Sequence, residues 1–123
     1  MIASLMMCLS VVLLLIGMLA GVAMGIEQNF MLAPAHAHLN LVGGVLLFLF
    51  GLYYRTVPAA GRSRLATLQG SLHMVAAILF PAGIALVLLK GTNFLPAPIV
   101  GSLILVAAMV LFVVIVFRTS SHT

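Results

Sequence analysis

Four runs of about twenty apolar residues, separated by three short polar breaks, leave this chain almost no choice of fold. The runs extend from Ile2 to Gly25, Pro34 to Tyr54, Leu65 to Leu89 and Pro96 to Phe117. At ~1.5 Å per residue each is long enough to cross ~30 Å of hydrocarbon as a helix. The breaks are Glu27-Gln28-Asn29, then Arg55 to Arg64 with Pro58 and Gly61, then Lys90-Gly91-Thr92-Asn93. Connections this short place consecutive helices side by side and antiparallel. The expectation is an all-α, polytopic membrane protein whose residues 1–123 form one four-helix domain, with helices at about 2–25, 34–54, 65–89 and 96–117.

Composition removes the alternative of a soluble domain. With 65% apolar and 5% charged residues, no water-soluble surface can be built. The first run has no Lys or Arg before it, is too long for a signal-peptide core and is not followed by a convincing cleavage site, so it reads as a helix. Arg55, Arg62 and Arg64 share the middle loop, Arg118 follows the last helix, and only Lys90 lies on the other side. That bias puts both termini in the cytoplasm, and the expected location is the bacterial inner membrane. The net charge of +4 is then a membrane-flank signature, and nucleic acid is not an expected partner.

Within this frame the informative residues are histidines. An imidazole in hydrocarbon is costly without a partner, so His36-Ala37-His38, a few residues inside the second helix, marks a functional site, most simply a metal site. Residues two apart on a regular helix point about 200° from one another, so the pair addresses opposite faces and does not chelate one ion. A tetrahedral zinc site would draw on other spacings and on further ligands. Two large cofactors flanking the helix, or one cofactor contacted by different copies of the chain, suit the spacing better. Hydrogen bonds to backbone are the structural alternative.

His73 lies on the inner half of the third helix, on the order of 10 Å or more from the depth of His38, and a structural hydrogen bond is weighed just ahead of metal ligation for it. His122 sits in a polar tail and is read as solvated. Met24, near the outer end of the first helix at about the depth of His38, offers a thioether for haem iron or Cu(I). Cys8 is alone and reads as a small buried apolar residue.

The run Ala35-His36-Ala37-His38-Leu39, with Gly43-Gly44, Phe48, Phe50-Gly51-Leu52-Tyr53-Tyr54, Pro58, Gly61-Arg62, Leu68-Gln69-Gly70 and His73, resembles the tenth and eleventh helices of haem-copper oxidase subunit I. The likeness covers about half of the chain, from Pro34 to Lys90, and does not extend to the first and fourth helices. It implies that His36 and His38 are axial haem ligands, while His73 matches a family histidine that is not one. The chain lacks the family's copper-binding histidine cluster, its linked tyrosine and the second low-spin haem ligand. Four helices also replace at least twelve. The resemblance therefore implies a smaller haem b protein and not a complete oxidase.

The oxidase subunit is similar to three four-helix arcs about a pseudo-threefold axis, so a homotrimer of this chain would rebuild that shape. His36 of one protomer facing His38 of the next, at depths ~3 Å apart, would give one bis-histidine haem per interface. Gly17, Gly21 and Gly25 form a small-residue stripe for close helix approach. Gly43, Gly44 and Gly51 either do the same or leave room for a flat macrocycle. Asn40 is a candidate to orient an imidazole. Tyr53, Tyr54 and Arg55 read as an inner-interface anchor. Gln28, Asn29, Lys90, Thr92 and Asn93 are candidate propionate partners, with Lys90 the only cation there. The helices are expected to hold no acidic residue, so no proton carrier is visible.

The expected function is electron transfer by membrane-bound haem b, with a partner protein or a quinone as redox partner. Three alternatives stand beside it: a diatomic gas sensor with one open haem face, a copper-handling protein using His36, His38 and Met24, and a structural or assembly subunit of a respiratory complex.

Overall fold

The computed structural model describes residues 1–121, so His122 lies outside the described residues. Four helices are long and apolar enough to span a membrane: Ile2–Glu27, Ala33–Thr56, Arg64–Lys90 and Pro96–Ser120, the last preceded by a 3-10 turn at Thr92–Phe94. No strand occurs among the described residues.

Most helix ends lie beyond the apolar runs, because hydropathy marks the edge of the hydrocarbon while the backbone continues until a turn stops it. The first helix runs to Glu27 and is closed by Gln28 in the left-handed conformation (φ 53°), its N–H donating to the Met24 carbonyl. Gly91, at φ 104°, closes the third in a conformation that favours glycine. Glu27 thus belongs to the last turn of the first helix, which corrects the expectation that the helices hold no acidic residue. At the arginine-rich end of the bundle, labelled inner as opposed to the outer end at Glu27 and Lys90, Ser63 caps the third helix by accepting from the Ala66 N–H at 3.1 Å, and a short helix, Pro58–Gly61, occupies what reads as a loop in the sequence.

The second helix departs most from the regular pattern. It begins as α-helix over Ala33–His38, widens to π-helix over Leu39–Leu46, and returns to α-helix over Leu47–Thr56. A π turn carries an extra residue, so it rotates the His-x-His end relative to the inner end by about 100° per inserted residue.

This second helix is also the middle of the molecule. Of an apolar eighteen-residue stretch of this helix 39% is buried, against 17–28% for the other three. The first helix packs along its whole length, the third packs against both, and the third and fourth form a second extensive pair. The first and fourth share no appreciable face. Glycines set the close approaches: a Cβ at Gly83 would meet the Pro98 nitrogen at 2.6 Å, and one at Gly51 would meet the Ala3 carbonyl at 3.0 Å. A Cβ at Gly43 would touch Leu13 at 2.9 Å, and one at Gly44 would collide with Leu14. First-helix side chains fill these places, so they offer no room for a macrocycle.

The tight core lies in the inner half, around Met6, Leu47, Phe50, Tyr54 and Ala66. Tyr54 is 2% exposed, and its hydroxyl donates to Gln69 Oε1 at 2.7 Å. It is therefore a core residue, which corrects its reading as an interface anchor. Tyr53 is half-buried, paired with Thr119 Oγ1 at 2.7 Å, and Arg55 reaches Ser4. Cys8 is exposed on the bundle surface, not buried as expected. Tyr54→Phe leaves the buried Gln69 amide without its one partner and is expected to cost about 1–3 kcal/mol in a detergent unfolding titration. Tyr53→Phe, at a half-buried site where Thr119 keeps its bond to the Ile115 carbonyl, is expected to cost less than ~1 kcal/mol.

Candidate functional site

Toward the outer end the packing loosens. A Cβ at Gly51 would be crowded by the neighbouring helix, whereas one at Gly25 would meet nothing within 4 Å. Between the first and third helices, floored by the second, lies a cleft of about 490 Å³. Ala20, Ala23 and Met24 line one wall, Pro81, Ala82 and Ala85 the other, and Ala35, His36 and Leu39 the floor. Glu27 and Asn29 supply its polar end. The walls are open because small side chains stand at i and i+3 on both helices, Ala20 and Ala23 on one and Ala82 and Ala85 on the other.

His36 is held in this floor by the glycine stripe of the first helix. Its ring packs against Gly21, where a Cβ would stand 3.0 Å from the ring carbon Cε1, and the Asn40 amide occupies the place of a Gly17 Cβ. Two of the three stripe glycines therefore seat polar side chains, and Gly25 seats nothing. Asn40 Nδ2 lies 3.2 Å from His36 Nε2, so Asn40 orients this imidazole. With the amide donating to Nε2, the His36 proton sits on Nδ1. Turning the amide over lets Nε2–H donate to Oδ1 and leaves Nδ1 as a bare lone pair. In both arrangements one ring nitrogen and one amide atom stay buried without a partner, at a cost of about 1–3 kcal/mol each.

His38 is turned elsewhere. Its ring packs edge-on against Phe80 of the third helix, with centroids 5.0 Å apart, and is half-buried. Its Nδ1 lies 2.7 Å from the Pro34 carbonyl, which can only accept, so the proton is on Nδ1 and Nε2 presents its lone pair. A backbone carbonyl fixing one ring nitrogen while the other stays basic is the usual preparation of a metal-binding imidazole.

His73 is 1% exposed in the inner core, its Nε2–H donating to the Val42 carbonyl at 2.9 Å and its ring against Phe50 at 4.8 Å. It ties the third helix to the π segment of the second and is not brought near His36 or His38. Phe80, the neighbour of His38, stands seven residues beyond His73, ~10 Å of helical rise.

Of the other candidates, Met24 lines the cleft with His36, not the surface at His38. The set His36, His38 and Met24 is thus not assembled around one point in a protomer. No group of three or more His, Cys, Asp or Glu residues placed to hold a metal occurs among the described residues. Lys90 ends the third helix, exposed and outside the cleft lining. Gln28 bonds the Gly25 carbonyl, Asn29 Oδ1 accepts the Met31 N–H, and Thr92 and Asn93 are exposed in the 3-10 turn. The alanine walls and Pro81 had no role in the sequence reading. The pairs Ala20/Ala23 and Ala82/Ala85 were the available signal.

No protein-family model, curated protein or solved structure matches this chain.

Proposed function

We propose that the chain is a membrane haem b protein for electron transfer, in which His36 of one protomer and His38 of another are the axial ligands within a homotrimer. The observation that carries this reading is that two imidazoles two residues apart serve different spaces. His36 lines a cleft, with Nδ1 buried and unpartnered and Nε2 on Asn40, and His38 presents the lone pair of Nε2 on the side of Phe80.

His38 fits such a group with its free Nε2, whereas His36 would have to give up its Asn40 bond or uncover Nδ1 to ligate. His36 and His38 would hold the iron, the alanine walls admit a flat ring, and Asn40 and Pro34 fix the two imidazoles. Bound haem supplies a one-electron couple at a potential set by its ligands and burial. Glu27 brings negative charge to the polar end of the cleft, and Lys90 is the nearest cation by sequence on that side for a carboxylate.

Protein purified in detergent from haem-replete cells is expected to show a sharp Soret band, split bands on reduction and a positive pyridine haemochrome assay. Reduced protein that takes up no carbon monoxide supports two histidine ligands; uptake would assign an open face and the gas-binding reading. A featureless spectrum would overturn the haem assignment.

A further inference from the structure

At the opposite, inner end of the bundle, a second cavity of about 350 Å³ opens between the start of the third helix and the end of the fourth. Its lining includes Ala59, Ser63, Arg64, Leu65, Arg118 and Thr119. The two hydroxyls are already engaged: Ser63 Oγ donates to the Ala60 carbonyl at 2.7 Å, and Thr119 Oγ1 donates to the Ile115 carbonyl at 2.6 Å. What remains unmatched is cationic. Neither guanidinium has a hydrogen-bond or ion-pair partner among the described residues. The chain contains one acidic residue, Glu27, and it lies at the far end of the first helix. Among the described residues no side-chain carboxylate lies at this end of the bundle to answer Arg64 and Arg118.

We propose that this cavity binds the phosphate headgroup of an anionic membrane phospholipid. A pair of arginines in a recess at the end of two spanning helices has the chemistry and the depth for a lipid phosphate, whose acyl chains would run down the apolar flank of the fourth helix. The exposed Leu103, Val106, Val110, Val113 and Phe117 of that helix provide this flank. The site is independent of the haem reading, being at the other end of the molecule.

The test is native mass spectrometry of protein released from nanodiscs of phosphatidylglycerol and phosphatidylcholine in equal parts. Wild-type protein is expected to retain phosphatidylglycerol selectively. Arg64→Gln and Arg118→Gln are each expected to lower that retention by about fivefold, and the pair by tenfold or more. Arg62→Gln, a cation of the same loop outside the cavity, is expected to change it little. Ala59→Phe keeps every charge but fills the recess and is expected to abolish retention; Ala59 is exposed on the short inner helix, so the larger ring leaves the fold intact. Equal losses for Arg62→Gln and Arg118→Gln, or full retention in Ala59→Phe, would overturn the proposal in favour of diffuse surface charge. Displacement of the lipid by millimolar inorganic phosphate would assign the site to a free anion instead.

Discussion

Gly17→Ala is expected to unseat Asn40 and with it the orientation of His36. The new Cβ falls on Asn40 Oδ1, with the amide carbon 2.9 Å away, so either Asn40 leaves its seat or the first and second helices separate. Overpacking of this kind costs about 1–3 kcal/mol. Because Asn40 is the hydrogen-bond partner of His36, the imidazole is released at the same time. The measurement is a paired unfolding titration in detergent with Gly25→Ala, where the new methyl meets nothing within 4 Å and the change is expected within about 0.5 kcal/mol. Equal behaviour of the two variants would remove the close seat of Asn40 on the first helix.

The second large effect concerns the proposed haem site shared between protomers. His36→Ala and His38→Ala are each expected to remove nearly all haem from the purified protein, because each takes one ligand from every interface. Co-expression of the two variant chains in equal amounts restores an interface wherever the chain giving His36 meets the chain giving His38. In a randomly mixed cyclic trimer that is about one interface in four, so haem content is expected to recover to roughly a quarter of wild type. Ligation within one chain predicts no recovery, since neither variant has both imidazoles. Tagged copies of each chain, purified in series, confirm that the recovered haem sits in mixed assemblies.

The His36 site shows where sequence pattern stops being informative. The glycines at 17, 21 and 25 are visible as a close-approach stripe, yet their spacing does not say that an imidazole and an amide are what approach, or that Gly25 is left open. The direction of a side chain in the second helix depends on its turn-by-turn winding, and the π segment at Leu39–Leu46 has no hydropathy signature. Tyr54 was misread for a related reason. An aromatic beside Arg at a helix end suits an interfacial anchor, and only the buried Gln69, fifteen residues along, makes it a core residue.

By itself the sequence determined the number of spanning helices, their approximate limits and the importance of asking what His36 and His38 face. It could do so because hydrocarbon imposes one rule on every segment: twenty apolar residues with internally satisfied backbone. The tertiary structure decided the rest. It placed His36 in a cleft between the first and third helices, gave His38 its tautomer through the Pro34 carbonyl, locked His73 onto Val42, and gathered Arg64 and Arg118 into one recess. These outcomes depend on which small residues allow helices to touch and where they part. That is a property of pairs of helices, which no single stretch of sequence contains.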